Sequence, residues 1–131
     1  MSANAIKVEI APGELIDKIT ILDIKSERID DPEKLKNIRH ELGILKKTQE
    51  ESMPSSPKLD ELTAGLKGVN EQLWEIEDDI RLCEGAKDFG KKFIELARAV
   101  YITNDERARL KRQINELLGS AIVEEKSYKP Y

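Results

Sequence analysis

A row of polar residues recurs every seven positions along the longest heptad pattern in the chain. Asn70, Glu77 and Glu84 form this row, immediately beside the apolar seam of the same predicted helix, and Trp74 and Arg81 lie next to it. A tryptophan on that flank indicates that the flank is covered, so its polar neighbours are expected to be half-buried. Half-buried carboxylates and guanidinium groups either pair with each other or bind a ligand.

Further polar candidates are expected to face this row from the C-terminal helical segment. Three interpretations stay open: a Glu–Arg network that fixes the register of the helices, a pocket in which Arg98 and Arg107 bind a phosphate or carboxylate, and catalysis by a Glu77 with a raised pKa. The register network is favoured over the pocket, and catalysis is the least favoured, because nothing in the sequence fixes the neighbours of Glu77. The candidate ligand-binding residues are Asn70, Trp74, Glu77, Arg81, Arg98, Tyr101, Asn104 and Arg107.

Other patterns for catalysis or metal binding are incomplete. Glu71, Glu75 and Asp78 share a helical face, as carboxylates that bind Mg²⁺ do in helical bundles, but residues 30–70 lack the second carboxylate helix. The one histidine, His40, has no cysteine or histidine partner for zinc. Glycine-rich phosphate loops, serine nucleophile motifs and Cys–His pairs are absent from the sequence. No catalytic residue, cofactor or metal is predicted, and whether the protein is an enzyme stays open.

Composition limits the class of protein. Of the 131 residues, 39% are hydrophobic, 37% are charged and 5% are aromatic, which is typical of helices with charged outer faces rather than of a β-sandwich. The net charge of −4 argues against nucleic acid as a partner, because proteins that bind it are usually basic. The single cysteine excludes an internal disulfide. No apolar run approaches the ~20 residues of a membrane span, so a cytoplasmic location is predicted.

Apolar periodicity predicts the helices that position the candidate residues. Apolar side chains spaced alternately three and four apart predict one long helix over Leu59–Cys83. A helix over Pro12–Ile29 precedes it, and a second runs from about 32 to 51, where Asp31 is the expected N-cap. One or two further helices are predicted between 86 and 118.

The last helical segment leaves two alternatives. Thr103, followed three residues later by a glutamate, is typical of a capping box that opens a fifth helix. A single continuous helix would instead place Asn104, Arg107 and Lys111 on the buried stripe of Val100. Either a bend or a buried polar patch is therefore required in this segment.

These patterns predict an all-α fold: a four- to five-helix bundle with one long central helix and a possible short β element near the termini. The β element is expected where Ile6–Ile10 alternates apolar and charged residues, with Ile122 and Val123 as a pairing partner. Residues 1–131 are predicted to form a single helical domain, with a loop over 52–57 and a tail over 120–131. The long helix and the two-sided first helix present more apolar surface than this chain readily covers, so a homo-oligomer is predicted.

Four segments carry a resemblance to a known family: EIAPGELIDKITILDIKSERI, VNEQLWEIEDDIR, FIELARAVYITNDERARLKRQIN and EEKSYKPY. They resemble a family of short bacterial and phage proteins classed as a domain of unknown function, and the resemblance spans essentially the whole chain. It implies an association with glycosyltransferases in surface-polysaccharide gene clusters. It implies no reaction and no catalytic residue.

Two functions are consistent with the sequence. The first is a non-enzymatic interaction or assembly module with itself or another protein as partner. The second is a binder of, or small enzyme acting on, an anionic metabolite such as a nucleotide-sugar. An internal network predicts that Glu77→Gln lowers the free energy of unfolding by ~1–3 kcal/mol. A Trp74 wedged against the fourth helix predicts a loss of ~3–5 kcal/mol for Trp74→Ala.

Overall fold

The structure, a computed structural model, describes residues 4–131. This range contains four helices. They are α1 (Pro12–Arg28), α2 (Pro32–Ser52), α3 (Pro57–Gly85) and α4 (Lys91–Leu117). The all-α helical bundle is confirmed, with four helices. The β element is not found, because residues 6–10 are solvent-exposed chain and residues 4–131 contain no strand. None of the helices in this range has the apolar length that a bilayer crossing needs.

The shortest helix, α1, is the one around which the others pack. It contacts α2, α3 and α4; α3 and α4 also contact each other, and α2 contacts α1 alone. Ile16, Ile19 and Ile24 point to different sides of α1 and are all buried, because different helices cover those sides. The expectation of one long central helix is therefore not confirmed: α3 has 29 residues and α4 has 27, and both flank the 17-residue α1.

The apolar core lies where α3 and α4 meet the first half of α1. Its buried members are Ile16, Leu59, Leu62, Leu66, Val69, Leu110 and Ile114. Each fully buried side chain of this size contributes ~1.5–3 kcal/mol to stability. Further along the seam of α3, Leu73, Ile76 and Ile80 are only half-buried, whereas Cys83 at the end of the seam is buried.

The fourth helix is continuous, so no fifth helix opens at Thr103. The buried polar patch that a continuous helix requires is present, since Arg107 and Lys111 are turned toward α1. The helix begins at Lys91 rather than near residue 86, and Phe89, which precedes it, is 51% exposed.

The start of α2 and the end of α4 follow local sequence signals, whereas the end of α3 does not. The Asp31 carboxylate caps α2 by accepting a hydrogen bond from the Glu33 amide at 2.9 Å, as predicted. Gly119 adopts a φ of +63° just after α4, where a left-handed residue closes the helix. After α3 the left-handed conformation falls on Lys87, with a φ of +54°, and not on a glycine.

Replacing Lys87 by glycine should therefore raise the free energy of unfolding by ~0.5–1 kcal/mol, because a side chain is disfavoured at this φ. Urea unfolding followed by circular dichroism measures the change. The matched control is Lys47→Gly at an exposed position inside α2, which should lower the same free energy by ~1 kcal/mol. Equal destabilisation by both variants would contradict the assignment of strain to Lys87.

Candidate functional site

A buried carboxylate joins three helices at the centre of the bundle. Asp17 of α1 is 1% exposed. Its Oδ1 accepts hydrogen bonds from Asn70 Nδ2 of α3 at 2.9 Å and from Arg107 Nε of α4 at 3.0 Å, and its Oδ2 accepts a further one from Arg107 Nη2. Asn70 Nδ2 also donates to Thr20 Oγ1 at 3.0 Å. Every buried polar side-chain atom in residues 4–131 has a hydrogen-bond partner. Because the hydrogen bonds of Asp17 join α1 to one residue of α3 and one of α4, they fix the register of α1 against both helices.

Lys111 extends the cluster toward the start of α1. Its Nζ lies 2.7 Å from Glu14 Oε2, 3.9 Å from Asp17 Oδ2 and 3.6 Å from Glu124 Oε2 of the tail. The hydrogen bond from Lys111 lowers the pKa of Glu14, and the hydrogen bond to Asp17 raises the pKa of Arg107. Because its pKa is lowered, Glu14 stabilises the fold above the ordinary glutamate pKa, and this contribution is lost as pH falls through the lowered value. We call Asp17, Thr20, Asn70, Arg107, Lys111 and Glu14 the Asp17 cluster.

A glycine allows α1 to reach the cluster. The Gly13 amide donates to Asn115 Oδ1 of α4 at 2.7 Å, and a Cβ on Gly13 would stand 2.4 Å from the backbone oxygen of Lys111. No other residue type fits at that distance. This close approach places Asp17, one turn later in α1, within reach of Arg107.

Six of the eight predicted ligand-binding residues line one cleft beside the Asp17 cluster. The cleft has a volume of about 540 Å³ and lies between the second half of α1, the middle of α3 and the middle of α4. Its other walls come from apolar residues and two further charged residues. The predicted residues that line it are Asn70, Trp74, Glu77, Arg81, Asn104 and Arg107, and the others are Ile21, Ile24, Lys25, Leu73 and Asp78. We call it the Trp74 cleft.

The remaining two predicted residues lie elsewhere on α4. Arg98 is exposed and has no ion pair or hydrogen-bond partner for its side chain within residues 4–131. Tyr101 packs edge-on against Tyr131, with ring centroids 5.3 Å apart, and lines a larger cleft of about 1220 Å³ between α4 and the tail. The Tyr131 hydroxyl donates to Asp105 Oδ2 at 2.6 Å, which raises the pKa of Tyr131.

Trp74 and Glu77 are less enclosed than the sequence suggested. Trp74 is half-buried, and the Arg28 guanidinium of α1, not α4, lies over its ring at 5.9 Å from the centroid. The loss of ~3–5 kcal/mol predicted for Trp74→Ala assumed a fully wedged indole and is therefore too large. The Glu77 side chain is 54% exposed and pairs with Arg81 on the same helix, Oε2 to Nε 3.3 Å. Exposed pairs of this kind contribute about 0.5 kcal/mol or less, so the larger loss predicted for Glu77→Gln is no longer expected.

Asp17 is the functional residue that sequence reasoning missed. The polar network that fixes helix register exists, but it is built on Asp17 rather than on Glu77. A signal was present, because Asp17 follows Ile16 in a helix that is apolar on several sides, and a buried carboxylate requires a cation. Arg107 and Lys111 were the cations already expected on a buried stripe.

Arg28 lies beside Glu71, Glu75 and Asp78, the carboxylates whose shared helical face is similar to that of a Mg²⁺ site. Its guanidinium forms ion pairs with Glu75 and, at 3.9 Å, with Glu71, and the hydrogen bond to Glu75 raises the pKa of Arg28. Asp78 adds to the negative potential around the same guanidinium. Within residues 4–131, no three side chains are grouped as a metal site requires.

The chain belongs to the DUF6165 family, a family of unknown function, whose model matches residues 6–131. No curated protein and no solved structure matches it. The matched range contains all four helices, so the Asp17 cluster and the Trp74 cleft both lie within the part that defines the family.

Proposed function

We propose that this member of the DUF6165 family is a non-enzymatic assembly module that associates with a second copy of itself through the outer ends of α3 and α4. These ends, residues 76–103, form a helical hairpin that we call the arm. Helix α1 has 17 residues, whereas α3 has 29 and α4 has 27, so α1 covers only part of their length. We call the covered part, which contains the apolar core, the base. Beyond the end of α1, the apolar seam between α3 and α4 has no third helix to cover it.

The open face of the arm continues the surface that α1 covers. On α3, Asn70 is buried against α1, whereas the side chains of Glu77 and Glu84, one and two heptads further, are 54% and 63% exposed. Residues spaced by seven lie on nearly the same side of a helix. The row that packs on α1 at the base of α3 thus borders the Trp74 cleft at Glu77 and lies open at Glu84.

The facing row on α4 shows the same change. Asn115 hydrogen-bonds to Gly13 of α1, and Tyr101, two heptads earlier, packs against Tyr131 of the tail, whereas Ile94, three heptads earlier, is 55% exposed. An apolar row that loses its cover partway along a helix is typical of an interaction surface. This bare continuation of an α1-binding face is the observation that carries the proposal.

Charge favours a second copy as the occupant of that face. Residues 76–85 of α3 carry four carboxylates and one arginine, whereas residues 86–103 carry four basic and two acidic side chains. Setting α3 of one arm against α4 of the other pairs the acidic segment with the basic one. The alternative arrangement, in which α3 of one arm faces α3 of the other, would place carboxylates opposite carboxylates.

The substitution Ile94→Glu tests this interface. It places a charge in the bare face and should weaken self-association by ~100-fold or more, because a desolvated, unpaired carboxylate is costly. The matched control is Ile44→Glu on α2, where the isoleucine is 52% exposed and lies outside the arm. Sedimentation velocity over a micromolar range should show a dimer for the wild type and the control and a monomer for Ile94→Glu. A monomeric wild type, or equal weakening by both substitutions, would refute the proposal.

A second candidate is binding of, or catalysis on, an anionic metabolite such as a nucleotide-sugar. The observation that favours it is the convergence of six predicted residues on the Trp74 cleft. The resemblance to bacterial and phage proteins of surface-polysaccharide gene clusters supplies its context, a cytoplasmic protein acting beside glycosyltransferases. A thermal-shift screen with nucleotides, nucleotide-sugars and sugar phosphates tests it, and a rise of several degrees for one class is the expected result.

A further inference from the structure

The Trp74 cleft has an apolar floor and one aromatic wall. Ile21 and Ile24 of α1 and Leu73 of α3 form its apolar part, and Trp74 borders it. Arg28, which lies over the indole, does not line the cleft, so the part of the ring that borders the cleft is not the part that Arg28 covers. An apolar floor beside an indole suits a flat ring, which stacks on such a surface.

The charges around the cleft leave a cation without a partner. Of its two carboxylates, Glu77 pairs with Arg81, and Asp78 lies in the field of Arg28. Lys25 has no ion pair within residues 4–131. Asp78 likewise forms no ion pair within this range, so the lining charges balance. The Lys25 ammonium, which no carboxylate holds, is the cation available to an anionic group of a ligand.

Arg107 contributes a fixed donor rather than a free charge. Asp17 holds it through Nε and Nη2, and its Nη1 has no acceptor within residues 4–131. The Nε–Nη2 edge of the guanidinium is thus already occupied, and two N–H groups on Nη1 and one on Nη2 remain. The donors that remain, Arg107 Nη1, the Lys25 ammonium and the Asn104 amide, come from separate side chains and suit the three oxygens of a phosphate better than a planar carboxylate.

We infer that the Trp74 cleft binds a phosphate monoester that carries a flat ring. The ring lies against Trp74 and Leu73, and the phosphate is bound by Arg107, Lys25 and Asn104. The volume of about 540 Å³ is within the range of pockets that hold a small ligand. The inference deepens the second candidate function and does not depend on assembly through the arm.

The test titrates the protein with phenyl phosphate and with adenosine monophosphate. Trp74 is the only tryptophan, so its fluorescence reports directly on the cleft, and calorimetry gives the stoichiometry. Both ligands should change the fluorescence in a saturable manner. Inorganic phosphate and benzyl alcohol, which each lack one half of the ligand, should bind at least about ten-fold more weakly. Equal affinity for inorganic phosphate, or no saturable change with either ester, would overturn the inference.

Matched lysine variants separate the cleft from general charge. Lys25→Gln should weaken binding of phenyl phosphate by about ten-fold or more, because it removes a charged hydrogen-bond donor. Lys18→Gln, on the same helix but outside the cleft, should leave the affinity unchanged. Equal weakening by both variants would overturn the inference. Ile94→Glu should retain full binding, since Ile94 does not line the cleft, whereas loss of binding together with assembly would contradict a site contained in one chain.

Discussion

Replacing Asp17 by alanine should lower the free energy of unfolding by ~3–5 kcal/mol, the largest effect we expect from any single substitution in this chain. The change leaves Arg107, whose side chain is 30% exposed, without its carboxylate partner, while Lys111 keeps Glu14 at 2.7 Å. It also removes one of the two acceptors of Asn70 Nδ2 and leaves Thr20 Oγ1 as the other. Because a domain of this size has a total stability of ~5–15 kcal/mol, this loss is a large fraction of the total.

Urea unfolding measures this loss against a control on the same helix. Asp23→Ala removes a half-buried carboxylate that lies 3.4 Å from the exposed ammonium of Lys46 and should cost no more than ~1 kcal/mol. If Asp17→Ala does not fold, the isosteric Asp17→Asn should fold and still lose ~2–3 kcal/mol. The double variant Asp17→Leu, Arg107→Met should recover much of the loss, since it removes both charges together. A loss for Asp17→Ala no greater than that for Asp23→Ala would contradict the role of the cluster.

Replacing Gly13 by alanine should lower the free energy of unfolding by ~2–4 kcal/mol, although alanine is the better helix former by ~1 kcal/mol. The added Cβ would lie 2.4 Å from the Lys111 backbone oxygen and 2.9 Å from Asn115 Oδ1, so α1 must move away from α4. That movement lengthens the hydrogen bond to Asn115 and separates Asp17 from Arg107. The cost of the clash is therefore increased by damage to the Asp17 cluster.

The matched control is Gly43→Ala in the middle of α2, where nothing lies within 4 Å of the added Cβ. It should raise the free energy of unfolding by ~0.5–1 kcal/mol, because alanine restricts the unfolded chain and favours the helix. The two glycine substitutions are thus expected to have opposite signs in the same urea-unfolding assay. A stabilising effect of Gly13→Ala would show that α1 and α4 are further apart than described.

Helix positions were predictable because their signals are local. The heptad seam between Leu59 and Cys83 lies within the observed α3, and the cap at Asp31 opens α2 as expected. The central position of α1 was not predictable from the same patterns. Periodicity shows which sides of a helix are apolar, but not which helix covers each side. The number of apolar sides on α1 was a better indicator of the central helix than helix length was.

The candidate site was predictable in part for the same reason. Helical spacing grouped Glu77 with Trp74 on one flank of α3, and Asn104 with Arg107 on α4, and all four line the Trp74 cleft. It could not show that the cleft ends before Arg98, because that limit depends on where α1 stops in three dimensions. Asp17 escaped detection because its partners are 53 and 90 residues away in the chain.

The central claim, that α3 of one arm packs against α4 of another, is tested most directly by exchanging charges between the two helices. One variant carries Lys91→Glu and Arg98→Glu, the basic residues that flank Ile94, and the other carries Glu77→Lys and Glu84→Lys. Each variant alone then sets like charges against each other, whereas a mixed pair sets opposite charges together at both contacts. Sedimentation velocity should show monomers for each variant alone and a dimer for the equimolar mixture. A mixture that stays monomeric, or variants that associate alone as well as the wild type does, would contradict the account.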